Sequence, residues 1–144
     1  MKTSEFITHL DEARIVEEIA RVEAATSGEI RVFVSTRTVV DPVTEAGQQF
    51  QSLGMTGTKH RNAILLYFAP VSQKFAIIGD KGIHEKCGPS FWQDLTAEIR
   101  PLLQAGQFSE AVLRAVQQTG LHLATHFPPE SGDRDELPNA IIGD

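Results

Sequence analysis

Apolar positions recur along this chain with two different periods, and the periods mark out its elements. Ile15, Ile19 and Val22 fall on one helical face, with Ala13, Val16 and Ala20 beside them and Glu17 and Arg21 outside. The spacing predicts an amphipathic first helix over roughly 8–26, opened by a Thr8/Asp11 capping box and followed by Gly28 as a left-handed stop. From Glu29 to Thr36 the period becomes two: Ile30, Val32 and Val34 alternate with Arg31, Phe33 and Ser35, as in a strand. Asp41 and Pro42 then open a short second helix that Gly54 closes. The Asp carboxylate accepts an orphan N–H there, and Pro omits one.

The run Ala63 to Ala69 contains no charge at all, which suits a strand covered on both faces. Pro70 to Gln73 turns the chain, and Lys74 to Gly79 supplies an antiparallel partner that ends at Asp80. A third helix follows Gly88-Pro89 through Phe91, Trp92, Leu95 and Ile99, with Pro101 expected to kink or split it and Gly106 to finish it. Ser109 is placed to cap a fourth helix that runs to His126 and stops at Pro128. Residues 129–144 read as an acidic, extended surface tail anchored by Leu137, Ile141 and Ile142. The whole predicts one α/β domain over 1–144, with a small mixed sheet made of a parallel βαβ unit and an antiparallel hairpin.

Composition narrows the function classes. A chain of 144 residues is ample for one core, and 41% hydrophobic with 22% charged residues is ordinary for a globular domain. The net charge of -6, with no local run of Lys and Arg, argues against nucleic acid and anionic membrane surfaces as partners. No apolar run approaches membrane-spanning length and the first residues lack a secretory signal, so the expectation is a soluble cytoplasmic protein, read as a monomer. The single cysteine, Cys87, excludes an intramolecular disulfide.

Topology then gathers the candidate chemistry. The strands of a βαβ unit start at one sheet edge, and a hairpin strand returns to that edge, so Glu29, Arg61, Asn62 and Asp80 converge. Asp80 and Glu29 offer hard oxygen ligands suited to calcium or magnesium. Arg61, Asn62, Thr58, Lys59 and Gly82 would form the rim. An ion-paired edge that satisfies only its own charges is the alternative.

The same residues carry a resemblance. Thr26 to Val32, Leu53-Gly54-Met55, Thr58 to Leu65, Phe75 to Ile83, His126-Phe127-Pro128 and Asp135 to Pro138, taken in that order, resemble the TPM domain family. The resemblance implies a three-layer α/β/α, Rossmann-like sandwich of the short cytosolic bacterial form. Its relatives include a thylakoid-lumen protein of photosystem II repair for which acid phosphatase activity has been proposed, and members described as divalent-metal binders. Three functions follow as expectations: binding of a divalent cation, a metal-assisted phosphatase using the same site, or an assembly or repair factor acting through a protein partner. Ala63 stands where relatives commonly carry Gly, and His84 where many carry Asn.

Rival motifs are weaker. His122 and His126 stand four apart on one helical face, but the sequence offers no evident third ligand, and imidazoles in a last turn also complement the helix dipole. Cys87 lacks the downstream Arg of a phosphatase loop, because Gln93 stands there, and reads as inert. Gly54 to Lys59 lacks the spacing of a nucleotide-phosphate loop, and Asp133 to Glu136 lacks that of an EF-hand. Phe91 and Trp92 read as core.

Overall fold

A computed structural model describes residues 10–130 and 139–144. The proposed Thr8 cap and the Leu137 anchor lie outside them. Helix α1 spans Glu12–Glu23, and Asp11 is its cap, its side chain accepting from the Arg14 N–H. Strand β1 spans Glu29–Val34 and α2 spans Pro42–Ser52, capped by Asp41 through the N–H groups of Val43 and Thr44. Strands β2, Ala63–Ala69, and β3, Lys74–Gly79, form the expected antiparallel pair. A short helix α3, Lys81–Lys86, follows at once. The apolar pattern predicts no element between Asp80 and Gly88, but Asp80 accepts from the Lys81 N–H and so ends a strand and caps a helix together.

Helix α4 spans Pro89–Gln104 and contains Pro101 without being split. Pro101 sits in its last turn, where a missing N–H interrupts little helix beyond it. Helix α5 spans Phe108–His126, with Gln107 rather than Ser109 at its cap position. The Ser109 hydroxyl oxygen instead accepts from the Asp11 backbone N–H, tying α5 to the start of α1.

The sheet order is β3-β2-β1-β4, where β4 is Ile142–Gly143. Strands β1 and β2 run parallel, as the crossover required. Ile141 and Ile142 pack against the two cores as the expected anchors of the tail, and strand β4 adds what the pattern did not show, pairing parallel with Phe33 and Val34 of β1. Asp144 then accepts from the Ser35 hydroxyl, the Thr36 N–H and the Thr36 hydroxyl, each at 2.7 Å.

Every residue of β1 and β2 is buried, because helices cover both faces. Ile30, Val32, Val34, Ile64, Leu66 and Phe68 face a core completed by α1, α4 and α5. Phe33, Ala63, Leu65 and Tyr67 face a second core closed by Ala46 and Phe50 of α2. The result is three layers, α/β/α. Ile15 and Ile19 on α1 are fully buried, each contributing roughly 1.5–3 kcal/mol relative to exposure. Close approach of α1 to α5 depends on Gly120, where a Cβ would lie 2.5 Å from Val22 Cβ. Gly28 is likewise a packing residue and not a left-handed stop: its Cβ would meet the Leu123 side chain at 2.8 Å. Phe91 and Trp92 are half-buried at the margin of the first core.

Candidate functional site

The register places the predicted edge residues in one row. Glu29 pairs with Ala63, and the Asp80 N–H donates to the Ala63 carbonyl at 3.0 Å, continuing the β2–β3 ladder. Glu29 and Asp80 therefore flank Ala63, with their α-carbons two strand spacings apart, roughly 9–10 Å. Glu29 and Asp80 are both buried, at 3% and 6% exposure. A small methyl separates two buried acidic side chains.

Each carboxylate has a guanidinium near it. Arg61 grips Asp80 with two bonds, Nε to Oδ2 at 2.6 Å and Nη2 to Oδ1 at 2.8 Å. Oδ1 also accepts from the Lys81 N–H at 2.8 Å, so both Asp80 oxygens are engaged. The bond to Asp80 raises the Arg61 pKa, against a smaller opposing effect of burial. Arg31 is 6% exposed. Burial lowers its pKa, and the charges of Glu29 and Glu23 act in the opposite sense. Glu23 also accepts from the Ile30 N–H at 2.8 Å, at an edge position of β1 where β4 does not reach.

The rim is built from backbone as much as from side chains. Arg61 has a left-handed φ of 52°, uncommon for a residue with a Cβ. Gly82 follows from it: the Gly82 N–H donates to the Arg61 carbonyl at 2.9 Å, so close that no side chain fits. Asn62 is 1% exposed and donates from Nδ2 to the Ser27 hydroxyl at 3.2 Å, while its backbone N–H donates to Thr58 Oγ1 at 3.3 Å. Lys59 points outward, 3.8 Å from Glu130, and His60 contacts the same carboxylate. The structure thus joins Arg61 to Asp80 and Asn62 to Thr58 and Ser27, and leaves Lys59 on the periphery.

The donor set is compatible with a hard cation in kind, since Glu29 and Asp80 supply two buried carboxylates, while Asn62 and Thr58 are buried and bonded to each other, and Asn62 also to Ser27. Arg61 already supplies positive charge to Asp80, so a cation held by Asp80 would have to displace that guanidinium. Arg61 is 36% exposed along its side chain and has an outlet to solvent.

A cleft of about 290 Å³ opens beside this edge, bordered by Ser27, His60, Gly82, Lys86, His126 and Glu130. A larger cavity of about 360 Å³ lies at the opposite end of β2, between Phe68, Phe75, Leu103 and Phe108, away from the acidic pair. Sequence reasoning missed one convergence near the cleft. Cys87 at the end of α3 lies against His122 and His126 of α5, and one ligand atom from each falls within 4.8 Å of the others. The i, i+4 spacing of the histidines was the available signal. The position of Cys87 depends on how α3 packs, which no local spacing states.

Among the described residues, no helix is long and apolar enough to cross a membrane. A search of curated proteins finds no match. Among solved structures, the BA42 protein of the psychrophilic bacterium Bizionia argentinensis superposes with a TM-score of 0.85 at 35% identity, covering 92% of each chain. The N-terminal domain of the cg2496 protein of Corynebacterium glutamicum shares the fold at a TM-score of 0.58 and 20% identity, covering 94% of this chain and 78% of that one. The sequence pattern of the TPM domain matches residues 1–121. On that match and the BA42 likeness, the chain belongs to the TPM domain family.

Proposed function

We infer that this TPM domain binds a divalent cation, calcium or magnesium, at the shared sheet edge, with Asp80 and Glu29 as oxygen ligands and Arg61, Asn62 and Thr58 around them. The observation that carries this reading is the row Glu29, Ala63, Asp80: two buried carboxylates from separate strands on either side of the smallest apolar side chain. Burying acidic groups is costly unless positive charge accompanies them, and Arg61 provides it in the cation-free state. On this reading Arg61 is an exchangeable counter-charge, and its strained backbone and partial exposure favour its release. Gly82 and Lys59 shape the rim and contribute no ligand side chain.

Titration with calcium or magnesium, followed by amide NMR, tests this. Saturable shifts at Asp80, Gly82, Arg61 and Asn62 are expected, with tighter binding in Arg61→Ala. Shifts confined to residues 129–144, with the Asp80 row silent, would sink the reading. The phosphatase alternative adds one demand on the same residues: phosphate-ester turnover supported by the metal must fall in Asp80→Ala.

A further inference from the structure

We propose that Cys87, His122 and His126 form a second metal site, separate from the sheet edge, which takes a borderline-soft ion of the zinc type through one thiolate and two imidazoles. Three observations meet there. First, the three ligand atoms already lie within 4.8 Å of one another. In a tetrahedral zinc site, bonds of about 2.0–2.3 Å hold neighbouring ligand atoms roughly 3.3–3.8 Å apart, so a closure of about an ångström completes the set.

Second, His122 is fixed but unsatisfied. Its ring stacks on Phe91 with centroids 3.8 Å apart and planes 11° from parallel, and the His126 ring stands 4.7 Å away. Yet His122 Nε2 is buried with no hydrogen-bond partner. A buried imidazole nitrogen left alone costs free energy that a metal bond would recover. A histidine serving only the core would turn that nitrogen to a carbonyl or hydroxyl.

Third, the site has an entrance. His126 borders the 290 Å³ cleft together with Ser27, His60 and Glu130, whereas Cys87 is buried at 8% exposure. The ion would reach the trio through the cleft and keep one position open to water on that side, the pattern of three protein ligands plus an exchangeable fourth. The acid–base balance is simple. Burial pushes the Cys87 thiol pKa up and, with the charge of His126, pulls that of His122 down, so the apo trio holds a thiol and a neutral His122. Binding of M²⁺ forms one M–S and two M–N bonds, and the thiol proton, together with any proton carried by the His126 imidazole, leaves to solvent without any redox partner. Sulfur and imidazole select against calcium and magnesium, which keeps this site distinct from the carboxylate row.

The experiment uses the full chain, reduced and stripped with a chelator, titrated with Co²⁺ and then with Zn²⁺. One equivalent of Co²⁺ should produce a near-ultraviolet thiolate-to-cobalt charge-transfer band together with intense visible bands of tetrahedral cobalt, and Zn²⁺ should bleach both. Cys87→Ser should lose the charge-transfer band, and the partly exposed His126→Ala should bind about ten-fold or more weakly. Amide spectra establish that both variants are folded, and unchanged calcium-induced shifts at Asp80 in Cys87→Ser separate this site from the sheet edge. Absence of the charge-transfer band in the folded parent, an octahedral cobalt spectrum, or a band that persists in Cys87→Ser would each overturn the proposal.

Discussion

The backbone of Gly82 rests directly on the carbonyl of Arg61: the N–H donates to that oxygen at 2.9 Å, and a Cβ would lie 2.5 Å from it and 2.3 Å from the His60 carbonyl. Both obstacles are backbone atoms, which cannot swing aside as a side-chain tip would. Gly82→Ala should therefore cost at least the roughly 1–3 kcal/mol typical of overpacking. It should also push the 60–61 segment outward and disturb the Arg61–Asp80 pair. Urea denaturation gives the first quantity, and the Arg61 Nε–H NMR signal reports the second. A stability within about 0.5 kcal/mol of the parent would contradict this packing.

Arg61 contributes a bidentate ion pair and pays for its left-handed backbone, with φ at 52°. The two effects separate in a pair of variants. Arg61→Ala and Arg61→Gly both remove the guanidinium, but only Gly adopts this φ without steric cost. Arg61→Gly should be the more stable by about 1 kcal/mol, after allowing for the greater freedom of Gly in the unfolded chain. Equal stabilities would mean that the loop relaxes once the ion pair is gone.

The legible part of the fold follows from local rules. The charge-free run 63–69 announced a strand covered on both faces, and the parallel and antiparallel neighbours of that strand placed Glu29, Ala63 and Asp80 at one edge. Less legible were features fixed by tertiary contact. Ile142–Gly143 is too short to show a period, and it becomes a strand because Asp144 bonds to Ser35 and Thr36. Ser109 has the chemistry of a cap and spends it on another helix. Glu29 and Arg31 alternate as solvent-facing residues do, yet both are buried, because their shared face lies under α2 and their charges compensate. At the candidate sites, the histidine pair was visible as a spacing. The approach of Cys87, 35 residues before His122, is a property of how α3 meets α5.

His122 makes the metal-free protein sensitive to mild acid. Burial, and then the positive charge of His126, lower its pKa below the ordinary value of 6.5. Because the folded pKa is the lower one, the unfolded chain binds more protons as pH falls. The stabilisation is complete above about pH 6.5 and is lost as pH drops through the folded pKa. With a chelator present, the urea midpoint should decline as pH falls from about 6.5 through the folded pKa. In His122→Phe, which keeps an aromatic ring against Phe91, the decline should be shallower. Parallel pH profiles for the two proteins would show that His122 is protonated equally easily in both states.

Asp144 gives the opposite end of the sheet its own acid dependence. Its side chain is 7% exposed, and this burial alone would raise its pKa. Bonds from the Thr36 N–H and the Ser35 and Thr36 hydroxyls, aided by the charge of Arg37, outweigh burial and hold the carboxyl below its usual range. A depressed folded pKa means stability that is full above the unfolded value of about 3.9 and is lost as pH falls through the folded pKa. Asp144→Asn keeps one acceptor but loses the charge, so at neutral pH it should be less stable by roughly 1–2 kcal/mol. The gap should close as pH falls through the depressed folded pKa, where the parent carboxyl is protonated as well. Since β4 pairs, among the described residues, only with Phe33 and Val34, the variant should also show faster amide exchange at Gly143 and Thr36 while the β2–β3 amides stay protected. If exchange rises uniformly across all four strands, β4 unfolds only with the rest of the sheet, and Asp144 acts on global stability instead of fastening one edge.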